Sequence, residues 1–324
     1  VSVLTQDFLK RVISPEPRLP WLTNWLLNDV WSLERFHRLA PEEYLTQGEH
    51  LVHDAEELLA GAADRFYDEL ASAAGSAEPL TRHLQDKKAA VIFDGASLRE
   101  MPLLLLKAEE SGYRVLEKRI AFAALPSETV DYIGQRVLGK VVTPKMLPQR
   151  KELRDQNIKA FYFNDAISSQ SVNSDEGEGL LLWSAFPDCT YKDSSARFAR
   201  HFSEMFALYD AAWKHTVMQV PRGRRIIVTS DHGYIFFGAG FDSTRPDDVC
   251  SLLDHNRFKV FTDGEPMPDA SASKDLQIFP DTRLAMIRGR LKNRPKGHAA
   301  NRIYRHGGLS LMEMLVPWIV LEKE

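Results

Sequence analysis

Three apolar runs in this chain stop on an aspartate: "VIFD" at Asp94, "LLLWSAFPD" at Asp188 and "IIVTSD" at Asp231. Each run reads as a buried strand. In a parallel α/β sheet, ligands gather at the carboxyl ends of the strands. Three carboxylates at one edge repel one another unless a cation lies among them. His232 follows Asp231 directly and His306 lies in "YRHGGLS", each beside a glycine. Oxygen and imidazole donors together suit Zn²⁺ or Mn²⁺ better than Ca²⁺ or Mg²⁺. A lone strand-end Asp is ordinarily a turn or cap residue. The joint occurrence with two histidines is what points to a metal.

Thr129, in "ALPSETVDYIG", is the candidate nucleophile. It falls in the first turn of an expected helix, with Ser127 as N-cap and Gly139 just past the end. Backbone N–H groups and the helix dipole there favour an alkoxide or a bound phosphate. A cation on the same oxygen lowers its pKa further. Read alone, the same residues make an ordinary cap.

Residues 282–305 hold eight Lys/Arg and no Asp/Glu, and run directly into His306. Two readings stand. Arg288, Arg290, Lys292 and Arg294 form a phosphodiester or nucleic-acid track, each phosphate contact adding salt-dependent affinity. Alternatively the segment is solvated and pairs with the acidic N-terminal helices. Few aromatics interleave the charges, so base stacking is not encoded there. His50 and His53 in "EHLVH" lack a third ligand and read as an exposed helix face. Arg99 is within reach of a phosphate, or of Glu100 or Glu128. Glu313 is a candidate support for His306.

These residues need a scaffold that brings distant strand ends together. Residues 1–86 read as a helical module without a convincing strand, and Trp21, Trp25 and Trp31 fit its core better than a partner groove. From residue 87 to 324, short apolar runs alternate with helices, the grammar of an α/β fold with a mostly parallel sheet flanked by helices. The stretch 240–280, rich in Asp, Pro and Ser, reads as an excursion from that core. The chain has 324 residues, 44% hydrophobic and 27% charged, with net charge −4. No global field therefore recruits nucleic acid. Two cysteines, Cys189 and Cys250, exclude a disulfide framework or a cysteine zinc site and fit a reducing, cytoplasmic compartment. The apolar runs are too short to span a bilayer and no signal peptide opens the sequence, so no membrane partner is expected. The chain begins at Val1 rather than Met, as a fragment of a longer protein would.

"IIVTSDHGY", "ALPSET" with a glycine ten residues after its Thr, "VIFDGASLRE" and "YRHGGLSLMEMLVPWIV" occur together and in order. Over about residues 88–324 they resemble the PglZ-domain branch of the alkaline phosphatase superfamily, found in bacterial phage-exclusion systems of the BREX and phage-growth-limitation type. The resemblance implies an alkaline phosphatase-like core and hydrolysis of a phosphate or sulfate ester through a Thr or Ser nucleophile and one or two divalent ions. It implies that Asp94, Thr129, Asp231 and His232 hold one metal and that Asp188 and His306 hold the other. It also implies other phage-defence proteins as partners and a phosphodiester substrate, nucleotide or nucleic acid.

One position departs from that pattern. Four residues beyond Asp188, where relatives carry a histidine, this chain has Lys192. Asp193 is a possible substitute ligand, and Lys192 is itself a source of positive charge for a phosphate. A second alignment uses Asp165 in place of Asp188. The rival function is a degenerate phosphatase fold that binds DNA or partner proteins without catalysis. A sulfatase is disfavoured, because "LPSET" differs from its nucleophile motif.

Overall fold

The computed structural model describes residues 4–62, 65–85, 87–175, 177–191, 198–236, 247–269, 273–291 and 304–323. The strands are β1 (Ala89–Phe93), β2 (Tyr113–Phe122), β3 (Ile158–Phe163), β4 (Gly179–Ser184), β5 (Arg225–Thr229), β6 (Ile235–Phe236), β7 (Phe258–Val260), β8 (Leu276–Phe279), β9 (Leu284–Ile287), β10 (Tyr304–Arg305) and β11 (Leu315–Lys323). Six of them form the main sheet in the order β2-β11-β5-β1-β4-β3. β1 pairs parallel with β4 and β5, and β3 parallel with β4, while β11 runs antiparallel to both β5 and β2. The expected mostly parallel α/β sheet is therefore present, with one reversed strand.

Register explains where the aspartates fall. Phe93 sits opposite Ser184, and Ile92 opposite Thr229. β1, β4 and β5 thus stop in one row. Asp94 is the next residue after β1, Asp231 the second after β5, and Asp188 the fourth after β4. Two backbone bonds tie the exits together: Asp94 N donates to Ser184 O at 2.9 Å, and Asp188 N to Asp94 O at 2.9 Å.

Strand alternation supplies a core on each face. Val91, Phe93, Leu180, Leu182 and Val228 point to one side. Ala90, Ile92, Leu181, Trp183 and Ile227 point to the other. With both faces covered, β1 and β4 read as unbroken apolar runs.

The helices before β1 are α1 (Gln6–Val12), α2 (Leu19–Trp25), α3 (Leu33–Arg38), α4 (Pro41–Ala62) and α5 (Phe66–Gly75). No strand precedes β1 among the described residues, as expected. Leu45, Val52 and Leu59 of α4 belong to the same apolar cluster as Val91 and Phe93, so these helices roof the first face of the sheet. Trp31 is buried against Tyr44, and Trp21 and Trp25 pack on Phe8.

Past β1 come α6 (Met101–Glu110), α7 (Thr129–Tyr132), α8 (Lys151–Arg154), α9 (Asp188–Tyr191), α10 (Phe198–His215), α11 (Asp247–Leu252) and α12 (Leu311–Met314). A π turn, Ile133–Leu138, extends α7 and ends on Gly139, whose φ of 71° is the left-handed closure expected there. Part of the 240–280 excursion joins a small antiparallel sheet, β7-β9-β8, over its own apolar cluster with Val249 and Leu253. Among the described residues no helix is long and apolar enough to cross a membrane.

Candidate active site

Asp94, Asp231 and His232 meet at the sheet's carboxyl edge, their ligand atoms all within 4.8 Å of one another. All three are buried. Each carboxylate has one oxygen tied down and one turned inward. Asp94 Oδ2 accepts from Trp183 Nε1 at 3.1 Å, leaving Oδ1 facing Thr129 Oγ1 at 3.3 Å. Asp231 Oδ1 accepts from Gly95 N at 3.0 Å, while its Oδ2 has no hydrogen-bond partner among the described residues. His232 Nδ1 donates to Gly233 O at 2.9 Å. That bond fixes the tautomer and turns the Nε2 lone pair inward. Nε2 then lies 3.2 Å from Thr129 Oγ1, 3.6 Å from Asp231 Oδ2 and 3.7 Å from Asp94 Oδ1.

Four donors therefore surround one point. A tetrahedral ion with bonds of about 2.0–2.2 Å sets its ligands about 3.3–3.6 Å apart, and the separations from His232 Nε2 and between Asp94 and Thr129, 3.2–3.7 Å, lie close to that. The orphaned buried oxygen of Asp231 is costly unless a cation or a proton meets it. Burial, then the neighbouring Asp231 and Asp188, push the Asp94 carboxyl well above its ordinary range. The donor set and the orphaned oxygen both fit a divalent ion.

Thr129 is the first residue of α7, as expected from its motif. Ser127 is not the N-cap. Glu128 holds that place, with extended backbone and no side-chain capping bond. The Ser127 hydroxyl is used elsewhere: it accepts from Gly307 N at 3.0 Å and donates to Gly308 O at 2.9 Å. It thereby fastens the nucleophile's loop to the loop carrying His306.

His306 stacks on His232, ring centroids 4.0 Å apart and planes 13° from parallel. Its Nδ1 is 3.1 Å from Glu128 Oε1 and its Nε2 3.9 Å from Asp188 Oδ1. Burial by itself lowers this imidazole, but Glu128, Asp188 and Asp231 outweigh it and hold the proton up to about 10. Asp188 thus faces the site. Asp165 does not share that place: it is exposed and accepts from its neighbour Ala166 N at 2.6 Å. Lys192, Asp193, Lys292 and Arg294 lie outside the described residues.

The basic track is altered by burial. Arg290 is 2% exposed, its guanidinium against Glu49 at 2.5 Å and Glu56 at 3.9 Å, both on α4. It is taken out of any surface phosphate path, because its charge neutralises buried carboxylates of the N-terminal helices. Arg288 bonds Gln277 and lies 3.7 Å from Asp68. For these two residues the reading that pairs the segment with the acidic helices is the one observed. Arg99 also turns inward. It meets Glu49 at 2.5 Å, rather than Glu100 or Glu128, and donates to Tyr234 O at 2.9 Å. Glu313 supports the loop beside His306, accepting from Gly308 N at 2.9 Å while Arg257 Nε meets it at 2.5 Å.

Several supporting residues carried no readable signal. Trp183 and Arg257 look like core and surface residues in the sequence. Gly233, which the sequence already shows beside His232, has a steric reason: a Cβ there would lie 2.1 Å from Met312 O, so this turn admits only glycine.

No protein-family model and no curated protein matches the chain. Among solved structures it is similar to phosphonoacetate hydrolase from Sinorhizobium meliloti 1021 with phosphonoformate, at 14% identity and TM-score 0.43, covering 72% of this chain and 89% of that one. It is also similar to murine ectonucleotide pyrophosphatase/phosphodiesterase 5, at 13% identity and TM-score 0.44, covering 74% and 88%.

Proposed function

We propose that this chain is a phosphoesterase with an alkaline phosphatase-like core, cleaving a phosphodiester through Thr129. The observation that carries the reading is the set of four inward donors: Asp94 Oδ1, Asp231 Oδ2, His232 Nε2 and Thr129 Oγ1. A structural cluster of buried charges would pair its carboxylates, whereas this one leaves Asp231 Oδ2 open, 3.6 Å from His232 Nε2. A divalent ion held by Asp94, Asp231 and His232, zinc or manganese by donor type, would supply Lewis-acid charge that this carboxylate-rich corner lacks.

The chain's own groups account for the rest. Thr129 Oγ1 attacks phosphorus in line and loses its proton to solvent, and the leaving alkoxide takes one back as its bond to phosphorus breaks, which leaves the other ester group on a phosphothreonine. Water then attacks from the side of Asp188 and His306, with Asp188 accepting its proton. The phosphorus–Oγ1 bond breaks, Thr129 recovers a proton from Asp188 through solvent, and a phosphomonoester departs.

The four sequence motifs support a PglZ-type assignment, a nucleotide or nucleic-acid substrate and a role in phage defence beside other proteins of such a system. Lys192, in the place of a histidine ligand, favours the second reading, a degenerate module that binds DNA or partner proteins. Turnover of bis(p-nitrophenyl) phosphate separates the two. Thr129→Ala is expected to lower it by about three orders of magnitude or more. Wild-type-like turnover in that variant would overturn the assignment.

A further inference from the structure

The contact between Glu128 and His306 has no part in the mechanism above, and helix capping does not explain it. Glu128 occupies the N-cap position of α7 by its backbone, yet its side chain makes no capping bond. The carboxylate turns away to His306 Nδ1, 3.1 Å from Oε1. The neighbouring loop makes room for it. Gly307 has a φ of 103°, and a Cβ there would lie 2.8 Å from Glu128 Oε1. Ser127, one residue earlier, grips the same loop through Gly307 N and Gly308 O.

An imidazole stacked on another ring keeps one freedom, a half-turn about its Cβ–Cγ bond that exchanges the edges carrying its nitrogens. A carboxylate on Nδ1 removes that freedom, because the turned ring would present carbon to it. A ligating histidine whose other nitrogen donates to a carboxylate is held in tautomer and orientation, and removing the carboxylate costs about 10–100-fold in metal affinity. The second acceptor near Nδ1 is the neutral Ser127 O at 3.3 Å. A charge-assisted bond is roughly twice as strong as a neutral one.

We propose that Glu128 is a positioning residue for His306: it holds the ring by Nδ1 so that Nε2 faces Asp188 and the pair presents a cation-binding edge beside Thr129. The inference rests on the phosphoesterase reading and adds to it that the residue next to the nucleophile organises the second corner. One tripeptide, Ser127–Thr129, then carries both the attacking hydroxyl and the grip on the opposite ligand.

Zinc titration of the full chain by calorimetry tests this, with thermal melting as a check on folding. Wild type is expected to bind two equivalents, and His306→Ala to lose the weaker. Glu128→Ala should weaken that equivalent 10–100-fold and leave the tighter one within about threefold. Glu128→Gln, which keeps an acceptor without the charge, should fall between and serves if the alanine variant fails to fold. A Glu128 that only stabilises the fold would lower the melting temperature and leave both affinities alone, which overturns the inference. A single tight equivalent in wild type also overturns it, while sparing the Asp94–Asp231–His232 reading. Absence of any zinc binding overturns both.

Discussion

The two corners of the site are built differently. Asp94, Asp231 and His232 leave the ends of adjacent central strands within two or three residues, and their side chains are 10% exposed or less. Their orientations are set by Trp183, Gly95 and the Gly233 carbonyl. Asp188 and His306 are not both set by the register of the central strands. Asp188 lies beyond the end of β4, His306 after β10, and their side chains are 18% and 27% exposed. The orientation of His306 depends on a loop gripped by Ser127, Glu128 and Glu313. A ligand fixed by strand register is preorganised by the whole sheet, whereas one on a loop is only as fixed as that loop's few bonds.

The largest expected effect breaks the first corner. Asp231→Asn puts an amide where the inward oxygen stands alone, and should weaken zinc binding at the tighter site by roughly two to three orders of magnitude. Asp188→Asn, at the more exposed corner, should change the same affinity by less than about tenfold. Calorimetry on both variants checks the contrast. Equal losses would mean that the two corners form one undivided site.

A smaller effect concerns the helix that props the second corner. Glu56 of α4 accepts from Leu311 N at 2.6 Å, just past the His306 loop. Burial, with Glu313 adding to it, raises its carboxyl to about 7 against the opposing Arg290 and the Leu311 bond. The folded state thus binds this proton more tightly than the unfolded chain, whose value is 4.5. The contribution to stability is full below pH 4.5 and is lost as pH rises towards 7, by roughly 3 kcal/mol at most. Glu56→Gln should flatten that slope in urea unfolding measured between those pH values. An unchanged slope would place the titration elsewhere.

The same contrast governs what the sequence reveals. Asp94 and Asp231 were legible because a buried strand leaves an unbroken apolar run, and the residue that ends it stands out. Thr129 was legible from the helix that Gly139 closes. Ser127 was misjudged because a capping pattern looks the same when its hydroxyl serves a loop 180 residues away. The stacking of His232 on His306 and the support from Trp183 are tertiary facts with no local pattern. The sequence left Arg290 open between a phosphate track and the acidic helices for a related reason. Its partners, Glu49 and Glu56, stand on the buried face of α4 with Leu45, Val52 and Leu59, and acidic residues on a helix ordinarily read as its wet side.

The central claim, that a divalent ion sits against the Thr129 hydroxyl, is tested most directly by anomalous diffraction at the zinc edge from crystals grown with excess zinc. The account predicts a peak bounded by Asp94, Asp231, His232 and Thr129 Oγ1. No peak there, or a Thr129 hydroxyl turned away from it, would contradict the account.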